Sequence, residues 1–467
     1  MLDQTWIKIY WDGQTSPAVY APLGSFRSRP VRRVPSGPLN LMSRLAVLSD
    51  GRQSSPMGSG RRDQTSKGEA VMRHVPSRAG LPGAENPAGG PRWTAVGAVV
   101  LAGAGLLAGA APAGAAAPPN RFAQTNLVAN KALYHPKLVD KHLTNAWGLA
   151  AGPNPIWVSD NDSGFATVYS GGIGGGAVSL ALTVPVPGGH PTGQVFNPDG
   201  KAFHVGGTAG PAAFFIVDTD RIGATKPAGE IAAWDGGAKF VVEDSPKGGP
   251  GGKTPAGAVF KGLALATNPK AGPELFAADV HNAAVDVFNR NFHRVKTPTE
   301  FRDAKIPAGY APFNVQDLNG RIYVSYGKQN KLKTNVVPGA GLGFVDVYSV
   351  DGVLIKHLVS HGPLNEPWGL VIAPKAFGPF GGDLLVGNLG NGLINAFNPT
   401  TGKFLGALDT TKGHPIAISG LWGLMVGNSM FGGSSSVVFS AGPNALKDGL
   451  VGILNPAPRS GRRPVTP

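Results

Sequence analysis

Trp147-Gly148-Leu149, Trp368-Gly369-Leu370 and Trp422-Gly423-Leu424 are three copies of one tripeptide, and Lys261-Gly262-Leu263 is a weaker fourth. Each opens a similar unit. Downstream, one unit reads Ile156-Trp157-Val158-Ser159-Asp160, Gly164, then Ala166-Thr167-Val168-Tyr169-Ser170. Another reads Leu384-Leu385-Val386-Gly387-Asn388, Gly392, then Ile394-Asn395-Ala396-Phe397-Asn398. A third reads Leu275-Phe276-Ala277-Ala278-Asp279, Ala283, then Val285-Asp286-Val287-Phe288-Asn289. Short β-branched and aromatic runs bounded by Gly, Asn, Asp and Pro are strands, and links this short make neighbours antiparallel.

Six units can be placed, starting at Trp147, near Thr192, at Lys261, at Pro312, at Trp368 and at Trp422. Their spacing of roughly 45 to 70 residues is that of a four-stranded propeller blade with its loops. A β-sandwich would not repeat one signature in every unit, and a β-helix has shorter rungs. No long amphipathic helical pattern competes after residue 120. The expected fold is all-β, a six-bladed β-propeller with four-stranded blades. The last unit supplies only three strands, at 421–426, 437–440 and 450–454. The orphan strand at 122–128 is therefore expected to complete that blade, removing two open edges and closing the ring.

The front of the chain reads differently. Residues 50–92 are rich in Gly, Pro, Ser and Arg and read as disordered. Arg92, the apolar run at 94–111 and Ala113-Gly114-Ala115 make a secretory signal, with cleavage expected after Ala115. A permanent anchor competes, but the Gly and Ala content of the run makes it weakly hydrophobic. Met72 would give a signal of ordinary length, which marks residues 1–71 as a disordered upstream extension, expected to be a translation artefact. The chain thus divides into 1–71, a signal region at 72–117, a propeller at 118–456 and a disordered tail at 457–467. A secreted protein follows, with no stable membrane span after cleavage.

The formal charge of +14 overstates the basicity of the globular part. After residue 117 there are 29 Lys and Arg against 22 Asp and Glu, so half of the excess lies in the leader. The cluster Lys328, Lys331 and Lys333 has no interleaved aromatics and reads as a solvated loop rather than a nucleic-acid site. The chain has no cysteine, which excludes thiol chemistry and thiolate metal sites. A propeller of this size buries enough apolar surface to do without disulfides.

Catalytic signatures are scarce. His-Glu-x-x-His and Gly-x-Ser-x-Gly do not occur. The stretch 248–254 imitates a phosphate loop, but Lys247 stands where its first glycine belongs. Asp160-Asn161-Asp162-Ser163-Gly164 imitates a calcium loop without the distant Glu, and reads as an Asx-capped turn. The repeat itself points to Asp160, Asp279 and Asn388, which share one repeat position at the end of the second strand. A ring of such oxygens would suit a hard divalent cation such as calcium. Asn145, Asn314 and Asn365 approach the inner strands, and His281 and His190 lie near the same ends, so a small ligand is also conceivable there. Turn capping is the favoured alternative for all of these, since repeats reproduce strand-end Asp and Asn whether or not anything binds. Asp286 and Asp346 are matched positions expected to serve blade-to-blade hydrogen bonding or solvent contact. The tryptophans read as packing residues and their glycines as relief of crowding near the axis.

Thr125-Asn126-Leu127-Val128, Asn145-Ala146-Trp147-Gly148-Leu149, Ala308-Gly309-Tyr310-Ala311-Pro312-Phe313-Asn314 and Leu364-Asn365-Glu366-Pro367-Trp368-Gly369-Leu370 resemble an uncharacterised family of exported bacterial proteins. So does Gly420-Leu421-Trp422-Gly423-Leu424 with Ala441-Gly442-Pro443. The likeness spans nearly all of residues 121–455. It implies NHL-like repeats and a six-bladed propeller, and implies no activity. The Pro-Glu-Pro sorting tail of some members is missing here.

Two functions are compatible with these residues. One is an exported binding scaffold, a monomer whose partner is an extracellular protein, glycan or small molecule and not nucleic acid. Long insertions at 236–258 and 327–341 would decorate its binding face. The other resembles the six-bladed lactonases and related hydrolases, with a metal held by Asp160, Asp279 and Asn388 in the channel and a metal-bound water as nucleophile. Those enzymes also use a channel Glu, and neither Glu274 nor Glu366 is placed for that role by the repeat. Fold alone does not choose between the two.

Overall fold

The structure is a computed structural model that describes residues 119–152, 155–221, 227–247, 249–253 and 257–458. The leader segments at 1–71 and 72–117, and the tail from residue 459, lie outside the described residues.

The chain enters on β1 (Phe122–Ala129) and β2 (Leu138–Val139). Blade one is β3 (Ala146–Ala151), β4 (Ile156–Asp160), β5 (Phe165–Gly171) and β6 (Val178–Pro185). Blade two is β7 (Pro191–Phe196), β8 (Phe215–Thr219), β9 (Ile231–Trp234) and β10 (Val241–Asp244). Blade three is β11 (Phe260–Asn268), β12 (Gly272–Asp279), β13 (Ala284–Phe288) and β14 (Arg294–Val295). Blade four is β15 (Tyr310–Asp317), β16 (Ile322–Lys328), β17 (Gly343–Tyr348) and β18 (Leu354–Ser360). Blade five is β19 (Pro367–Ile372), β20 (Leu384–Asn388), β21 (Ile394–Phe397) and β22 (Phe404–Ala407). The last strands, β23 (Leu421–Val426), β24 (Val437–Ala441) and β25 (Leu450–Pro456), form blade six together with β1. The helical pieces among the described residues are 3-10 turns at Ala132–Tyr134, Ile173–Gly175 and Gly378–Phe380. None of them is long and apolar enough to cross a membrane.

The six-bladed, four-stranded architecture read from the repeat is the one observed. Closure follows the expected route. β1 pairs antiparallel with β25 from Phe122 opposite Pro456 to Ala129 opposite Leu450, and so becomes the outer strand of blade six. β2 then adds in parallel outside it, a fifth strand that two residues were too short to announce. The expected insertion at 236–258 is partly regular structure, because 241–244 is β10, the outer strand of blade two.

Every inner strand breaks register against its neighbour at the same repeat position. The shifts fall between Ala146 and Leu149, Pro191 and Gln194, Phe260 and Leu263, Pro312 and Asn314, Pro367 and Gly369, and Leu421 and Leu424. A bulge frees backbone from the ladder and re-aims a side chain. The Trp-Gly pair of the repeat sits inside it. The glycine is required by the approach of the next blade: a side chain at Gly148 would overlap the Thr192 carbonyl, and one at Gly193 would overlap the Leu263 N–H.

The apolar residues sort into six clusters between neighbouring blades and a seventh on the axis. Between blades one and two, Trp157 stacks on Phe215 at 4.4 Å and meets Trp234 and Phe240. Between blades six and one, Leu127 of the closing strand packs with Ile453, Val158 and Phe431 and has no exposed surface. Leu127→Ala is therefore expected to cost about 2–5 kcal/mol in urea unfolding, and removal of residues 121–130 to abolish the single cooperative transition. A deletion variant as stable as the intact chain would show that β1 does not close the ring.

Candidate functional site

The bulge position of the six inner strands carries Trp147, Thr192, Lys261, Phe313, Trp368 and Trp422. Trp147 and Trp422 stack with ring centroids 3.4 Å apart, and Trp368 stands edge-on to both at 6.1 and 5.8 Å. Phe313 reaches Trp422 at 6.0 Å. All four rings are buried. The Trp422 Nε1–H donates to Asn145 Oδ1 at 2.9 Å, and the Trp368 Nε1–H to the Lys261 carbonyl at 2.8 Å. The tryptophans thus pack mainly on one another across the axis and plug the channel, rather than sealing only adjacent blades.

The plug holds one cation. Lys261 Nζ pairs with Asp220 Oδ2 at 2.6 Å and lies 5.0 Å from the Trp147 ring centroid, with a side chain only 3% exposed. Pairing with a carboxylate and an aromatic face is what allows an ammonium to be buried. The repeat marked Lys261 only as an imperfect copy of the tryptophan position. Its partner Asp220 lies outside the repeat pattern and had no sequence signal.

One face of the plug is roofed. The turns that join second to third strands, and fourth strands to the next inner strand, emerge at the end where the tryptophans sit. The 329–342 loop between β16 and β17 crosses there. Val336 packs into the tryptophan cluster with Val280 and Ala311. Gln329 donates to the Val280 carbonyl at 2.6 Å, and the Gly339 N–H to Asn365 Oδ1 at 2.8 Å. Beyond the plug, Gly148, Gly193, Gln194, Asn314, Gln316 and Leu370 help to line a narrow cavity with room for about one water molecule.

Asp160, Asp279 and Asn388 do share one register position, opposite Ala146, Phe260 and Pro367. Each is engaged within its own blade. Asp279 Oδ1 accepts the N–H groups of Val259, His281 and Asn282 at 3.1, 2.9 and 3.2 Å, which is turn capping. Asn388 donates to the Pro363 carbonyl at 2.7 Å and to Asn391 Oδ1 at 3.1 Å. Asp160 is fully buried and faces Thr167 on the third strand of its blade. Burial, and then the neighbouring Asp140, hold it well above the usual carboxylate range.

The asparagines take three different places in the repeat. Asn145 stands two residues before the bulge residue in a left-handed conformation (φ 51°) and carries the Trp422 indole. Asn314 stands one residue after it and donates to the Trp368 carbonyl at 2.7 Å. Asn365 stands three before it and anchors the 329–342 loop. His281 Nδ1 lies 3.2 Å from the Lys333 carbonyl of that loop. All four thus surround the plugged end and hold the plug or its roof.

His190 and Glu366 also occupy the left-handed position two before the bulge residue, with φ 57° and 50°. Glu366 is 6% exposed there, and burial raises its carboxyl to about 7. Asp286 and Asp346 are indeed matched, opposite Ala277 and Val324, but their partners lie within the blade. Both are buried and reach the fourth strand of their own blade, Asp286 to Arg294 and Asp346 to His357, because their strand face is covered by that neighbour.

No known protein-family profile matches the chain. Two uncharacterised proteins of Acanthamoeba polyphaga mimivirus, R648 and L690, are each 29% identical over 68% of this chain, covering 76% and 81% of their own lengths. These relatives are viral rather than bacterial. Solved structures of similar shape include an α-L-arabinofuranosidase of Fusarium graminearum in complex with arabinobiose, with TM-score 0.44, 12% identity, and 72% of this chain and 98% of that one covered. A putative gluconolactonase gives TM-score 0.36 and 16% identity, with 57% and 78% covered. At these values the likeness carries no information about activity.

Trp422→Ala is expected to cost about 3–5 kcal/mol, read by chemical denaturation, because a fully buried, stacked ring leaves a hole that six fixed strands cannot collapse into. Glu366 gives a pH signature. Its folded pKa of about 7 lies above the ordinary value of 4.5, so the folded state holds its proton longer than the unfolded chain. Stability should therefore fall as pH rises from about 4.5 to about 7 and then stay level with respect to this group, by at most about 3 kcal/mol. Glu366→Gln should remove that component, so the stability difference between variant and parent should grow across the window. A constant difference from pH 4 to 8 would contradict the assignment.

Proposed function

We propose that this chain is an exported scaffold that binds a macromolecular partner on the plugged face of the propeller. The observation that carries the reading is the 329–342 loop. It is tethered to three blades, through Val336 in the axial cluster, Gln329 on Val280, and Gly339 on Asn365. Yet Lys331, Leu332 and Lys333 at its tip, and Lys328 at the end of β16, turn outward, and Leu332 is 75% exposed. A held loop with one exposed leucine among three lysines loses little entropy on binding and suits an acidic protein or glycan surface.

The plug argues against a small organic ligand among the tryptophans, and the cavity lined by Gly148, Gly193 and Gln194 beyond it admits about one water molecule. It argues in the same way against the channel hydrolase with Asp160, Asp279 and Asn388 as metal ligands. Those side chains cap turns or face third strands, and Glu366 approaches from a separate repeat position.

The test is binding of the purified full chain to arrayed acidic glycans and acidic protein domains at low and high salt. Replacement of Lys328, Lys331 and Lys333 by Ala is expected to abolish binding that salt weakens, and Leu332→Ala to reduce it several-fold, with melting temperatures unchanged. Retained binding in the triple variant would place the partner elsewhere and sink this reading.

A further inference from the structure

Blade four holds a buried ionic group away from the axis. Asp346 Oδ1 lies 2.7 Å from His357 Nδ1, and Asp303 Oδ2, from the loop joining blades three and four, lies 2.7 Å from the same nitrogen. The side chains of Asp346, Asp303 and His357 are 0%, 4% and 12% exposed. Their ligand-type atoms lie within 4.8 Å of one another. An imidazole nitrogen carries at most one proton and serves one carboxylate well. Asp346 takes that hydrogen bond. Asp303 Oδ2, equally close but out of line for it, accepts none. A buried carboxylate oxygen without a donor is stable only where positive charge faces it.

Blade three shows the alternative. There the matched Asp286 is held by Arg294, whose Nε and Nη2 donate at 3.0 and 2.7 Å. The arginine brings a full charge and a fork of donors. Blade four replaces it with a histidine and a second carboxylate, so even a protonated ring leaves the group one positive charge short.

The surroundings suit metal ligands. His357 Nε2 lies 2.5 Å from Ser360 Oγ, and a proton on Nε2 leaves the Nδ1 lone pair free. The Tyr348 hydroxyl donates to Asp346 Oδ2 at 3.1 Å and is itself 2.8 Å from the Tyr326 hydroxyl. Outer partners of this kind fix the tautomer and orientation of ligating side chains. Local geometry is built for the contact as well. Val345 pairs with Val359 and Asp346 with His357, so Leu358 is an extra residue. That bulge turns His357 and Ser360, three residues apart, to one side of the strand.

We propose that Asp303, Asp346 and His357 form a divalent transition-metal site of the zinc type on the rim of blade four. One imidazole nitrogen and two carboxylate oxygens suit Zn2+ or Mn2+ better than Ca2+, and three protein ligands leave further positions to water. The ion ties the loop at 296–309 to β17 and β18.

Calorimetric titration of the full chain, stripped with chelator, against zinc, manganese and calcium chlorides tests the assignment. The expected result is one saturable zinc per chain, a raised melting temperature, and at most weak calcium binding. Asp303→Asn and His357→Gln should each weaken zinc binding at least tenfold, and Ser360→Ala should weaken it less with stoichiometry kept. Asp303→Asn changes one partly covered loop residue and decides the matter if His357→Gln fails to fold. The proposal is overturned if the parent binds no zinc, or if Asp303→Asn binds it as the parent does. It is also overturned if Asp303→Asn only stabilises the metal-free chain while zinc shifts neither melting temperature.

Discussion

Six inner strands share one axis, and the space they leave each other decides most of this structure. Where neighbouring backbones come closest, five strands carry glycine and each has a bulge at that point. The bulge throws the preceding side chain inward. Six such side chains must then fill the axis, and three tryptophans, a phenylalanine, a threonine and a lysine do so. An indole supplies both area and a single donor, and two of the three indoles find acceptors on other blades, Trp422 at the adjacent blade one and Trp368 across the axis on blade three. The plug is thus a cross-link as well as a filler. Closure depends on the same junction, since the Gly423 N–H donates to Ser440 Oγ at 2.8 Å, and that hydroxyl bonds onward to the Trp147 carbonyl across the join of blades six and one.

The second recurring constraint is electrostatic. Third strands carry Thr167, Asp286, Asp346 and Asn395 at one position, all buried and all near the second-strand ends where Asp160, Asp279, Tyr326 and Asn388 sit. Polar groups in that notch must be satisfied inside the blade. The amide of Asn395 reaches the Pro363 carbonyl of the preceding turn, and the Thr167 hydroxyl stands beside Asp160. The carboxylates at Asp286 and Asp346 need a counter-charge from the fourth strand, and the two blades meet that need with different chemistry. Burial first, and then the nearby Asp279 and Asp303 carboxylates, raise Asp286 to about 7 and Asp346 to about 6, despite Arg294 and His357 beside them.

The architecture was legible because its period is written in large residues. Trp-Gly-Leu, the run ending in Asp or Asn, and the alternating third strand each impose a side-chain pattern with a steric cause. The missing fourth strand of the last unit made β1 predictable for the same reason. The site was less legible. Asp220 meets Lys261, and Asp303 meets His357, across loops whose course no repeat fixes. The left-handed turn before the inner strand is filled by Asn145, His190, Glu366 and Gly420, which share a φ and no chemistry. Matched position was a sound guide to where Asp160, Asp279 and Asn388 stand. It did not tell which way they face, because the bulge that re-aims the inner strand leaves the second strand pointing into the blade.

That difference in direction bears on where a propeller of this kind can work. An open channel lets residues from several blades converge on one ligand. Here the converging residues are mostly aromatic rings, and the matched Asp160, Asp279 and Asn388 are held in separate notches within their blades. Function is then pushed to places where one blade meets a loop: the roof at 329–342, which is both tethered and exposed, and the rim of blade four, where a connecting loop delivers Asp303 to a notch already holding a carboxylate. Both lie on blade four, whose second strand carries Tyr326 and Gly327 at its end and continues directly into the long loop. The Tyr326 hydroxyl at that strand end meets Tyr348, and so belongs to the hydrogen-bonded support beneath Asp346.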